Sequence, residues 1–197
     1  MKCALLLICP TLLTAAVLSA QEQTTSKHLR EGFWFQGGLG GGSMTLSCDI
    51  QEIECDGDAE NGGVVRIALG GRISPVFHLG GSVDAWGKSE DDVTVVYGAT
   101  SLLAMIYPVP HSGFWLDFGP GVSVYQEDSP VGDVEVTSFS VIGGLGYDIR
   151  VGRMLSITPF ANTLLSIGGD VVFEGETVPD SKATPRMFEL GLALTIH

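Results

Sequence analysis

Three sets of residues in this 197-residue chain have types and spacings that chemistry uses. His78, Ser82 and Asp84 supply a base, a hydroxyl and an acid, which a nucleophilic site needs within hydrogen-bond reach. At about 3.3 Å per residue of extended chain, His78 lies roughly 13 Å from Ser82, so a neighbouring strand would have to supply the serine. The plainer reading is a histidine filling one end of an interior. In the second set, Asp56, Asp58 and Glu60 fall within the acidic stretch 48–63, and hard cations such as Ca2+ take several carboxylates from one flexible loop. The run departs from the EF-hand pattern, with Asn61 in the glycine place and Ile67 in the glutamate place. The third set is a scatter of single charges, Arg66, Arg72 and Arg150 against Asp84, Asp117, Asp148 and Glu189. Each stands among small residues opposite a run of apolar ones.

That last pattern implies the elements that position all three sets. Residues 65–74, 77–86, 114–125, 139–150 and 188–197 alternate strictly, large apolar residues on one face and Gly, Ala, Ser or a single charge on the other, the period of a β-strand. Residues 93–107 are apolar on both faces, 155–168 carry Phe160 and Asn162 on the expected inner face, and 32–46 are too glycine-rich to fix a register. The total is eight strands, an even number that lets an antiparallel sheet close with both termini at one end. Connections after the second, fourth and sixth strands are short. Those at 47–63, 89–92, 127–136 and 169–184 are longer or more acidic. Short turns on one rim and polar loops on the other predict an up-and-down barrel.

The first twenty residues stand apart. Met1-Lys2, an apolar run from Ala4 to Leu18, and Leu18-Ser19-Ala20 read as a signal peptide over residues 1–20, removed on export. Residues 21–31 form a flexible leader and 32–197 the barrel. Cys48 and Cys55 then lie in an oxidising compartment and are expected to bond to each other, worth about 2.5 kcal/mol for so short a loop. The net charge of −13 leaves no basic patch for phosphates, so no nucleic-acid partner is expected.

Two architectures share this strand pattern and differ in which face is wet. A secreted lipocalin-like binding barrel points the apolar face inward, whereas a membrane barrel points it at lipid. A water-facing sheet carries interspersed Lys, Glu, Thr and Gln, but here the second face is mostly Gly, Ala and Ser, suited to the tight lumen of eight strands. Charges turned inward can pair across the bore, while basic ones turned to lipid would each cost up to about 2–4 kcal/mol. Tyr97 and Tyr107, ten residues apart on one strand face, match the spacing of two aromatic girdles.

With "VIGGLGYDIRVG" (141–152), Phe118-Gly-Pro-Gly-Val122 and a strand running to the C-terminus, the chain resembles the small eight-stranded outer-membrane barrels of OmpA/OmpX type across roughly residues 32–197. The resemblance implies an all-β, eight-stranded antiparallel transmembrane barrel in the outer membrane of a Gram-negative-type bacterium. Its partners would be outer-membrane lipid, lipopolysaccharide and the assembly machinery that reads the C-terminal strand, and a monomer is expected. Family members end on an aromatic residue facing lipid; here Ile196 holds that place and His197 follows.

The expected role is structural or surface-binding through the acidic loops, with the bore plugged by Arg66, Arg72, Asp84, Asp117, Asp148, Arg150 and Glu189. The alternative is a narrow, weakly cation-selective pore. No enzymatic activity is expected, and a lipid-modifying activity lost in His78→Ala would overturn that. No cofactor is expected beyond Ca2+ at the acidic loops.

Overall fold

The computed structural model describes residues 32–197 except 51, 52, 92, 110 and 131, and only the backbone of 49, 50, 53–56 and 180. The expected signal peptide and leader lie outside the described residues. Eight long strands form one antiparallel sheet: β1 (Phe33–Ile50), β3 (Glu60–Ser74), β4 (Phe77–Glu90), β5 (Val93–Ile106), β6 (Phe114–Ser129), β7 (Gly132–Tyr147), β9 (Leu155–Phe173) and β10 (Glu176–Ile196). Short strands β2 (Ile53–Asp56) and β8 (Ile149–Arg150) pair with β1 and β9. Each long strand pairs with the next long strand in sequence, and β10 also pairs with β1, so the eight long strands close into a barrel. Closure matters because an unpaired edge inside hydrocarbon would leave backbone groups unsatisfied at several kcal/mol each.

The glycine-rich β1 is the seam, and its register has a steric cause. On the inner wall Gly38 and Gly191 lie against Phe160, and Gly42 and Gly62 against Trp86. A Cβ on Gly62 would meet Trp86 at 2.6 Å, and one on Gly191 would meet Phe160 at 2.5 Å. The glycines are therefore slots for bulky bore residues rather than flexible linkers.

Along the middle and lower wall the apolar side chains face out. On β10, Phe188, Leu190, Leu192, Leu194 and Ile196 are 46–61% exposed, while Glu189, Ala193 and Thr195 between them are buried. The outward face of that strand carries no charge over these nine residues, and Arg186 and Lys182 follow as exposed charges. Nine residues at about 3.3 Å each, tilted about 40°, span roughly 23 Å, close to the apolar band of a membrane barrel. Phe33, Phe35 and Tyr147 stand exposed near the terminal rim of this belt. Tyr97 and Tyr107 do not form girdles: both are buried in the bore, because inner and outer faces on β5 are both apolar and only the pairing register decides between them.

The connections also differ from expectation. Strands run on through most of the segments read as loops, and at the far rim β4 ends at Glu90 with β5 starting at Val93, β6 ends at Ser129 with β7 starting at Gly132, and β9 ends at Phe173 with β10 starting at Glu176. Glu174 and Gly175 have φ of 48° and 83°, the positive values a tight two-residue hairpin requires. The stretches mistaken for loops are strands whose polarity is inverted. On β7, Asp133 and Glu135 face out and Val136 faces in, whereas further along Phe139 and Val141 face out and Ser138 and Ser140 face in. The far end thus has the dress of a sheet in water and the rest that of a sheet in lipid. Val95, Tyr125, Val136, Val171, Ala183 and Met187 fill the bore of the far end.

Candidate functional site

The pairing register sets Arg66 on β3 directly opposite Asp84 on β4. Both point inward, and the curvature of the wall brings Asp117 from β6 and Glu189 from β10 to the same guanidinium. Arg66 Nη1 donates to Asp84 Oδ1 at 2.7 Å and lies 3.5 Å from Glu189 Oε1, Nη2 donates to Asp117 Oδ2 at 2.8 Å, and Nε donates to Gln36 Oε1 at 3.2 Å. All four charged side chains are fully buried. Phe160 covers one face of the guanidinium at 5.7 Å, a cation–π contact.

Around this centre several hydroxyls are engaged. Ser82 Oγ donates to Asp84 Oδ2 at 2.7 Å, and Tyr97, Ser166 and Ser123 form a hydroxyl chain at 3.0 and 2.8 Å. Asn162 Nδ2 donates to Glu189 Oε1 at 2.5 Å. A second centre lies toward the terminal rim, where Asp148 accepts from Tyr107 Oη at 3.1 Å, Trp115 Nε1 at 3.2 Å and Thr158 Oγ1 at 3.0 Å. Thr158 meets Thr195 at 2.7 Å, and Gln36 Nε2 donates to Thr195 at 3.2 Å. Asp148 and Arg66 are therefore joined through Thr158, Thr195 and Gln36 in one buried network, in which each group is strengthened by the low dielectric around it.

Of the seven charges expected in the bore, the structure brings Arg66, Asp84, Asp117 and Glu189 together and sets Asp148 in the second centre. Arg72 is only half-buried, at the rim, with Nε donating to Ser74 O at 3.1 Å. Arg150 is exposed at the terminal rim rather than in the bore: β8 continues the β7–β9 register, with Arg150 opposite Ser156, beyond the point where the neighbouring β6 begins at Phe114 opposite Tyr147. Sequence reasoning passed over Gln36, Thr158 and Thr195. Their signal was a polar residue at every second position of a strand whose other face is apolar.

His78, Ser82 and Asp84 do not assemble a nucleophilic site. His78 pairs in register with Met105 and stacks on Tyr107 at 4.7 Å between ring centroids, while Ser82 donates to an Asp84 already held by Arg66. His197 tucks under the terminal rim, its Nε2 3.3 Å from Ser156 Oγ and 3.6 Å from Asp148 Oδ2. Serine and acid thus approach the same ring nitrogen, whereas a triad needs them on opposite ones.

At the far rim the register sets Cys48 opposite Cys55. Among the proposed calcium ligands, Asp58 is exposed, Glu60 Oε2 lies 3.7 Å from Lys88 Nζ, and the side chain of Asp56 is outside the described residues. Lys88 also meets Glu90 at 2.8 Å, which lowers the Glu90 pKa, chiefly through that hydrogen bond. Among the described residues no three His, Cys, Asp or Glu side chains are grouped to hold a metal ion.

Comparison with solved structures finds the same fold in Neisserial surface protein A (NspA), at TM-score 0.51 and 16% identity, over 83% of this chain and 96% of that one. The outer-membrane protein OprG of Pseudomonas aeruginosa gives TM-score 0.51 at 12% identity, over 86% of this chain and 98% of that one. No family model and no curated protein sequence matches the chain.

Proposed function

We propose that this chain is an integral barrel of a Gram-negative-type outer membrane whose bore is plugged, and that it acts as a structural or surface-binding element through its acidic far rim. The observation that carries the reading is the Arg66 guanidinium, tied across the bore to acids from three other strands with every charge fully buried. A conducting lumen would keep such charges hydrated. Trp86, Trp115 and Phe160 crowd the same interior, and the apolar far end adds a second stopper. The uncharged outward belt supports placement in lipid, and the fold shared with NspA and OprG supports an outer-membrane location.

In this reading residues 1–20 are removed on export and the assembly machinery reads β10. The termini lie on the inner side, so Glu90, Asp91, Asp128, Asp133, Glu135, Asp170, Glu174 and Glu176 ring the outer rim. Divalent cations would bridge that ring to lipopolysaccharide phosphates. A Cys48–Cys55 disulfide staples the hairpin above the seam, the barrel is a monomer, and no reaction is catalysed. Single-channel recording in a planar bilayer tests the plug: a silent bilayer after verified insertion is expected, and steady conductance would replace this reading with a narrow pore.

A further inference from the structure

The Arg66 centre is short of positive charge. Three fully buried carboxylates share one guanidinium, and a buried charge without a partner costs several kcal/mol. A second observation locates the shortfall. Asp117, Gly144, Asn162 and Glu189 occupy successive paired positions across β6, β7, β9 and β10. Asp117 Oδ1, Asn162 Oδ1 and Glu189 Oε2 are buried without a protein donor, and Asn162 is 1% exposed. Asn162 Oδ1 and Asp117 Oδ1 both lie within 2.6 Å of the point where a Gly144 side chain would begin. Two acceptors thus confront each other over the one residue of the row that has no side chain.

Turning the carboxamide over moves the conflict without removing it. Nδ2 would then serve Asp117, and Oδ1 would face Glu189 Oε1 at the 2.5 Å now spanned by a hydrogen bond. One amide cannot donate from its oxygen, so in either orientation the row lacks one positive bridge.

We infer that the bore holds a hard metal cation, Na+ or Ca2+, between Asp117 Oδ1 and Asn162 Oδ1 beside Gly144, with the excess charge of Asp84 and Glu189 as its counter-charge. Oxygens so close together suit an ion that binds at about 2.3–2.6 Å, and an anionic wall with a neutral amide oxygen suits a cation better than any anion. The site is separate from the acidic rim. It needs only a closed bore, so its failure leaves the plug reading standing, and conductance would be detected independently.

The test uses the folded barrel in detergent micelles, treated with chelator and dialysed. Its thermal unfolding is compared in NaCl, CaCl2 and choline chloride at matched ionic strength. A midpoint several degrees higher in one metal salt than in choline is expected, as ligand binding to the native state requires. That difference should vanish in Asp117→Asn and in Asn162→Ala, and persist in the rim variant Asp58→Asn. Asn162→Ala keeps every charge and so serves if Asp117→Asn does not fold. Equal midpoints in all three salts would overturn the inference in favour of a bridging proton or water. A metal effect that survives Asn162→Ala would also overturn it, by placing the ion at the rim.

Discussion

Arg66 is the residue on which the interior turns. Removing it leaves Asp84, Asp117 and Glu189 buried together, and loss of one partner from a buried ion pair costs about 3–5 kcal/mol. Arg66→Ala is therefore expected to lose at least that much in urea unfolding from lipid vesicles. In the chelator-treated, metal-free barrel Glu189→Gln should stay within about 1 kcal/mol of wild type, since there it removes surplus negative charge and keeps an acceptor for Asn162. Equal losses in the two variants would mean that the acids are not in excess. Much of this centre was legible because charge on a small-residue strand face has few places to go. Arg150 misled because its alternation with Ile149 continues beyond the start of the neighbouring β6, where the inner face opens at the rim. Tyr97 and Tyr107 misled because β5 is apolar on both faces, so composition carries no sign for which side faces the bore.

At the scale of the strand, direction is what composition encodes. On β10 the outward Leu192 is expected to tolerate no charge: Leu192→Arg should cost about 2–4 kcal/mol in the same unfolding assay, as a basic residue near the middle of the apolar belt does. A cost near zero would mean that this face meets water. The far-rim hairpin of β1 and β2 makes a different prediction. Cys48→Ser should lower stability by about 2.5 kcal/mol under oxidising conditions and change nothing under reducing ones, read by unfolding with and without reductant. The strand extensions were hidden at the sequence level by their own acids. Glu135 and Asp170 look like loop residues until the alternate positions, Val136 and Val171, are seen to be packed inward. Inverted polarity along a single strand defeats a reading that assigns each strand one lipid face and one polar face.

For the whole molecule, the wall turns its apolar side outward through the belt and closes on itself. All three tryptophans of the chain, Trp34, Trp86 and Trp115, point into the bore and are at most 3% exposed. The eight-strand closure was readable because period two and strand number survive without any knowledge of register. The height of the barrel above the belt was not, since it depends on two-residue turns such as Glu174-Gly175 rather than on hydrophobicity. The most direct measurement is fluorescence of the barrel in vesicles whose lipids carry brominated acyl chains. The native tryptophans should be little quenched, and a tryptophan placed by Leu192→Trp should be strongly quenched by the bromines and shielded from aqueous iodide. Quenching of the Leu192→Trp probe by iodide but not by brominated chains would contradict the account, because it would turn the apolar belt toward something other than lipid.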